Sequence, residues 1–189
     1  MIKTKLFAAA ALAALALSGP AFAQPVSVTG QVDVNGSVAD RCLFTSPSAT
    51  ISLGELAIQG SGANAGFLNA AVVSAGSANL TGWCNGTAAT MNVQATALAN
   101  TSFLTAPPTG FDRVVNFTAT ASNGPASVSD SSLTAGPGTA VPVGIFAATI
   151  PVTLSAASTP NSGRLIAGGY SGLVTVTLTP NTSLPQQPL

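Results

Sequence analysis

The sequence contains no histidine, and five basic and five acidic residues are few for a chain of 189 residues. Beyond Lys3 and Lys5 no lysine remains, and three arginines are the only cations. Three arginines can neutralise only a few phosphate groups. This composition therefore argues against a nucleic acid or an anionic membrane surface as the partner. Without histidine or paired acidic residues, the sequence also argues against an enzyme and against a metal site.

The first 23 residues have the three parts of an export signal. Lys3 and Lys5 give a cationic start, residues 7–17 form an unbroken apolar run, and residues 21–23 read Ala-Phe-Ala, a form that signal peptidase cleaves. We therefore expect residues 1–23 to be a signal peptide and the mature, exported chain to begin at Gln24. The apolar run is too short to span a bilayer, so we predict no transmembrane segment in the mature chain.

Two cysteines, Cys42 and Cys84, are the only ones in the chain. In the oxidising environment that export implies, they are predicted to form a disulfide. Closing a loop of about 42 residues would stabilise the fold by on the order of 4 kcal/mol through the entropy of the unfolded chain. Trp83 is expected to pack in the core against this disulfide.

Alternating apolar and polar residues recur between turn residues along the mature chain, and no helical period persists. The pattern predicts strands at 26–34, 51–53, 113–121, 143–154 and 170–179, a hairpin over 78–98 that turns at Asn85-Gly86, and a long loop over 122–140. Seven or so strands with Gly- and Pro-rich turns and a disulfide between strands indicate an all-β protein, an immunoglobulin-like β-sandwich.

The first of these strands stands at the free end of the mature chain. It places four valines on one face, with Gly30 between them, and polar residues on the other: Val26, Val28, Val32 and Val34 against Ser27, Thr29, Gln31 and Asp33. A strand with one apolar face needs a partner, which can be its own domain or another molecule. The alternation by itself leaves both possibilities open.

Four segments of the mature chain form a distinctive combination. They are the alternating segment that leads to Cys42, LTGWCNGT at 80–87 around Cys84, VVNFTA at 114–119, and AGGYSGLVTVTL at 167–178. In these segments the chain resembles the subunits of bacterial chaperone-usher pili, especially the archaic branch that shares the spore coat protein U domain. The resemblance spans most of the mature chain.

The resemblance implies that residues 37–179 form an incomplete immunoglobulin-like sandwich, completed by a donor strand from a neighbouring subunit. Residues 24–36 would then be the donor-strand extension. The donor positions implied are Val26, Val28, Gly30, Val32 and Val34, and the last strand that borders the groove would carry Val174, Val176 and Leu178. Unlike many such pilins, this chain continues past that strand, and residues 180–189 are predicted to form a flexible, Pro-rich tail.

The function implied is that of a structural subunit of a pilus or fimbria, supporting adhesion or biofilm formation at the cell surface. Its partners would be copies of itself, a periplasmic chaperone and an outer-membrane usher, and no cofactor is expected. The alternative is a self-contained secreted β-sandwich that acts as a coat component or binding module. The alternative predicts that the strand at 26–34 pairs within its own domain.

Overall fold

Ten β-strands and one short helix form the regular structure of residues 27–180, the part of the chain that this computed structural model describes. The chain divides after Ser37 into an N-terminal segment, described over residues 27–37, and a β-domain, described over residues 38–180. The predicted signal peptide, Val26 and residues 181–189 of the predicted tail lie outside the described residues.

The elements of the β-domain are short at its start and longest in its second half. In chain order they are β1 (Cys42–Ser46), α1 (Ala70–Ser74), β2 (Ser77–Cys84), β3 (Thr90–Asn100), β4 (Phe111–Asp112), β5 (Val114–Ser122), β6 (Ser127–Ser131), β7 (Val141–Pro142), β8 (Phe146–Ser158), β9 (Arg164–Leu165) and β10 (Tyr170–Thr179). The protein is therefore all-β, as the alternation predicted.

One antiparallel sheet contains all strands except β4 and β9, which form a separate parallel pair. Its strand order is β1-β2-β8-β5-β3-β10, with β6 added to β5 and β7 added to β3. β5 is shared by two groups of strands, because its first residues, Val114 and Val115, pair with β3 whereas residues 116–122 pair with β8 and β6. The sheet thus forms a sandwich-like or barrel-like arrangement around one core.

The core is built from the apolar positions of the alternating strands. In β8, Ile150, Val152 and Leu154 are buried while the residues between them are exposed. Met91 and Val93 are also buried. They belong to β3, which pairs with β5 on the side opposite to β8. Since every second residue of a strand faces the same side, the two-residue period of these strands places their apolar residues in one core.

The predicted hairpin over residues 78–98 is wrong. β2 pairs with β1 and β8, whereas β3 pairs with β5, β7 and β10, so the two strands are not neighbours. The Asn85 side chain accepts the Arg41 N–H at 2.6 Å and donates to the Ala39 carbonyl at 3.0 Å. The Asn-Gly pair is therefore tied to the chain before β1 and does not close a hairpin.

Residues 122–140 are not one long loop, because β6 lies within them. Val128 and Asp130 are buried, and the residues on either side of them are serines. The Asp130 carboxylate accepts the N–H of Ala95 at 2.8 Å, which joins β6 to β3 through a side chain. A five-residue strand with an acidic residue on its inner face carries little apolar alternation, which is why the sequence did not reveal it.

The predicted disulfide joins Cys42 and Cys84, with an S–S distance of 2.06 Å. The two residues are cross-strand partners in β1 and β2. Trp83 does not pack in the core as expected: Cys84 is buried, and Trp83 lies on the opposite parity, half-buried, between Leu43 and Ala147 of the neighbouring strands. A residue next to a buried cysteine in a strand must face the other side.

Candidate functional site

The two strands that end the main strand order, β1-β2-β8-β5-β3-β10, each have one pairing partner within the described residues. β1 pairs only with β2, and β10 pairs only with β3. An edge strand of this kind presents N–H and C=O groups that another strand can pair with. β1 and β10 thus end the strand order at opposite edges, and both are available for strand addition.

A groove of about 520 Å³ lies between these two edge strands. One wall consists of Phe44 of β1 and the segment of residues 47–53 that follows it, and the other wall consists of residues 172–176 of β10. Its floor is formed by apolar core side chains from four further strands, which are Ala78, Leu80, Leu98, Phe117, Val152 and Leu154. The groove therefore opens the hydrophobic core to the surface.

The interior of the groove is lined mainly by apolar side chains. None of its lining residues is charged, and its polar lining residues are Ser48, Thr50 and Thr175. A site with no charged group and an apolar floor suits aliphatic side chains. The unpaired edges beside it add main-chain donors and acceptors, so the site as a whole suits an extended peptide segment with apolar residues.

The segment of residues 47–53 gives this wall its apolar side chains although it is not a strand. Ile51 and Leu53 alternate as predicted, are half-buried and pack against the core. The predicted strand at 51–53 is therefore wrong, although its two apolar residues do lie on the same, core-facing side. Without a neighbouring strand to pair with, the alternation places side chains without forming a ladder.

A second cavity, of about 580 Å³, adjoins the groove and shares Ile51, Leu53 and Leu98 with it. Its remaining lining comes from residues 52–57 and 165–170. The two cavities therefore border each other at these three side chains.

The start of β10 is held in place by side chains of β3 and its own loop. Asn100 is buried, and its side chain donates to the carbonyls of Ile166 and Ala167 at 3.1 and 3.2 Å. The Tyr170 hydroxyl donates to the Ile166 carbonyl at 2.9 Å. Gly168 has a φ of +141°, and a Cβ there would lie 2.9 Å from the Asn100 side chain, so only glycine fits without a shift.

The predicted residues of the last strand divide between two places. Val174 and Val176 line the groove and pack against the core. Leu178 also packs against the core but is not among the lining residues. Its Cδ1 lies beside Gly82 of β2, 3.3 Å from where a Cβ on that glycine would be. The groove thus borders the first half of β10 most closely.

The N-terminal segment, described by itself, contains no helix or strand. Val28, Val32 and Val34 are 94%, 87% and 90% exposed. A Cβ built on Gly30 would meet no atom within 4 Å. The alternation predicted a half-buried strand here. In the structure, residues 27–34 form no strand and their apolar face is uncovered.

Sequence reasoning missed three parts of this site. The contribution of residues 47–53 to a wall was not predicted, nor was the second cavity. The anchoring role of Asn100 was also missed, since a single asparagine at a strand end carries no distinctive signal. Within residues 27–180, no group of three or more His, Cys, Asp or Glu side chains is placed to hold a metal ion.

No helix in the described part of the chain is both long enough and apolar enough to cross a membrane. Comparisons of the chain with protein-family models, with curated proteins and with solved structures gave no match.

Proposed function

We propose that the chain is a structural subunit of a bacterial surface filament, a pilus or fimbria, assembled by donor-strand exchange. The observation that carries the proposal is the apolar groove between the two free sheet edges, in a chain whose N-terminal valines are exposed. A strand that fills such a groove gains main-chain hydrogen bonds along the edge and burial of alternate side chains.

The strand order supports an immunoglobulin-like sandwich that lacks one strand. Named A to F in chain order, the six strands of the main path are β1, β2, β3, β5, β8 and β10, and their spatial order is A-B-E-D-C-F. An immunoglobulin domain has the order A-B-E-D in one sheet and C-F-G in the other. The missing strand G would pair with β10, which is where the groove lies.

The N-terminal extension, residues 24–36, is the proposed donor. Burial of its four valines, Val26, Val28, Val32 and Val34, in the groove of a neighbouring subunit would contribute roughly 6–12 kcal/mol as an upper estimate. Pairing of the donor with β10 would add main-chain hydrogen bonds. The donor belongs to one subunit and the groove to the next, so successive joints produce an open filament and not a closed ring.

The proposed pathway includes a periplasmic chaperone and an outer-membrane usher as transient partners. An unfilled groove leaves core side chains such as Leu80 and Leu98 partly exposed to solvent, and a subunit in that state needs a temporary occupant before assembly. The proposed role is structural, at the cell surface, in adhesion or biofilm formation, and it assigns no catalytic step to the chain.

The test is disulfide trapping in the mature full-length chain. Its two native cysteines are paired, so Val32→Cys combined with Val176→Cys introduces the only free thiols. The proposal expects a reducible ladder of oligomers on a denaturing gel, with a yield that rises with protein concentration. A cross-linked monomer at every concentration would contradict the proposal and support the self-contained β-sandwich.

The matched control combines Val32→Cys with Thr177→Cys. Thr177 is exposed on the other parity of β10 and is not among the residues that line the groove. Its thiol should give a much weaker ladder, because a donor in the groove places its side chains on the opposite face. Equal ladders from both pairs would mean random collision and would also contradict the proposal.

A further inference from the structure

The sequence contains three Asn-Gly pairs, at residues 35–36, 85–86 and 123–124. Asn-Gly is chemically the least stable dipeptide of asparagine, because glycine has no Cβ to hinder its backbone nitrogen. That nitrogen can attack the side-chain carbonyl carbon of the preceding asparagine when the backbone can rotate and the amide is free. The structural surroundings of the three pairs differ sharply.

The amide of Asn85 is held at both ends. Its oxygen accepts the Arg41 N–H, its nitrogen donates to the Ala39 carbonyl, and its own backbone N–H donates to the Arg41 carbonyl at 3.1 Å. Gly86 is buried, and a Cβ there would lie 2.9 Å from the Asp40 carboxyl carbon. The local packing therefore opposes the rotation that the attack requires.

The amide of Asn123 is held in the same way. The residue is only 7% exposed, its side-chain oxygen accepts the Ala126 N–H at 3.1 Å, and its side-chain nitrogen donates to the Val143 carbonyl at 3.3 Å. Its backbone N–H also donates to the Ala126 carbonyl at 3.1 Å. Both amide atoms must lose a partner before the carbonyl carbon can turn toward Gly124.

Asn35 is in a different environment. It and Gly36 are exposed and lie in the N-terminal segment, which contains no helix or strand over residues 27–37. We infer that Asn35 is a site of spontaneous deamidation, and that the fold protects the other two Asn-Gly pairs. The site needs no enzyme, and its only co-reactant is water.

The reaction involves no change of oxidation state. The Gly36 nitrogen forms a bond to the Asn35 side-chain carbonyl carbon, and the bond from that carbon to the amide nitrogen breaks. That nitrogen leaves as ammonia, taking up the proton that the Gly36 nitrogen loses. Water then opens the five-membered succinimide at either carbonyl, which leaves aspartate or isoaspartate at position 35.

The consequence is a new carboxylate at the base of the N-terminal segment. It would stand two residues from Asp33, and the isoaspartate product would also lengthen the main chain by one carbon atom. Both products change the segment directly after Val34. The inference does not rest on the proposed function, because it depends only on the surroundings of the three asparagines.

The test is incubation of the mature, full-length protein at mildly alkaline pH, followed by peptide mass spectrometry of the three asparagines. Each pair of hydrogen bonds that must break first should slow the reaction about tenfold or more, so Asn35 should deamidate at least about tenfold faster than Asn85 and Asn123. Deamidation of Asn85 or Asn123 as fast as that of Asn35 would overturn the inference.

Two controls keep the experiment decisive. Reduced protein in denaturant should lose the difference between the three sites, since all three then have the same free Asn-Gly chemistry. Gly36→Ala should slow the reaction at Asn35 in the folded protein and leave the other two sites unchanged. If Asn35 stays intact in the folded protein while it reacts in denaturant, the inference is wrong.

Discussion

The N-terminal segment and β10 have the same alternation, and only one of them is a strand. Residues 26–34 alternate valine or glycine with polar residues, and residues 174–179 alternate valine or leucine with threonine. β10 pairs with β3 along its length and packs Val174, Val176 and Leu178 against the core. Residues 27–34 have no ladder, and their valines are exposed.

Alternation therefore determines which face of a segment favours burial, but it does not determine whether the same chain provides a surface that buries this face. β10 has a long neighbour in β3, with continuous register from Thr90 to Thr96 and a shift before Ala99. A strand without such a neighbour keeps its apolar face uncovered until another molecule covers it. This contrast between two similar segments underlies the proposed assembly.

The largest expected effect comes from introducing a negative charge into each of the two segments and comparing the results. Val176→Asp should lower the free energy of unfolding by on the order of 4 kcal/mol, because the carboxylate would lie against the core. Val32→Asp should leave unfolding unchanged while it prevents filament formation. Urea unfolding followed by circular dichroism checks the first result, and electron microscopy checks the second. Equal destabilisation by both substitutions would mean that the two segments do not differ as described.

The next effect concerns β1, the other edge of the groove. Replacing both Cys42 and Cys84 with serine should lower the free energy of unfolding by about 2–4 kcal/mol, because the unfolded chain regains the entropy of a long loop. The measurement is thermal or urea unfolding of the double variant beside the oxidised parent. Reduction of the parent should reproduce the loss; if it does not, the serines themselves and not the missing bond cause the change.

The smallest effect compares one glycine in each segment. A Cβ on Gly172 would lie 2.7 Å from the Thr96 carbonyl oxygen, so Gly172→Ala should cost about 1–3 kcal/mol as the two strands move apart. Gly30→Ala meets no atom within 4 Å and should leave the stability of the subunit unchanged. If Gly30 lies against a narrow part of a neighbour's groove, a bulkier residue there should slow assembly, measured by light scattering. An unaltered rate would remove this role from Gly30.

Much of the fold could be predicted from the sequence wherever alternation was strong. The predicted strand at 170–179 coincides with β10, and the one at 113–121 falls within one residue of β5 at each end. The disulfide was predicted from two cysteines in a chain expected to be exported. β6 could not be predicted because serines and an aspartate occupy all its positions except Val128, and the role of Asp130 depends on Ala95, which is remote in sequence.

The candidate site could be predicted only in part. Val174 and Val176 were named from the resemblance and line the groove, but the opposite wall at 47–53 was not foreseen. The hairpin prediction was wrong because Asn85-Gly86 has the sequence of a hairpin turn, whereas the residues that the Asn85 side chain bonds are distant in the chain. Its side chain bonds to Ala39 and Arg41, more than forty residues earlier, and no local pattern indicates such a contact.

Local period and composition were enough to establish the all-β class, the inward face of each strongly alternating strand and the pairing of the two cysteines. The identity of neighbouring strands and of the free sheet edges emerged from the folded domain. Strand pairing joins residues far apart in the chain, and the loops that bring them together carry little information about their destination. The groove between β1 and β10 is a product of that pairing, since neither strand alone contains it.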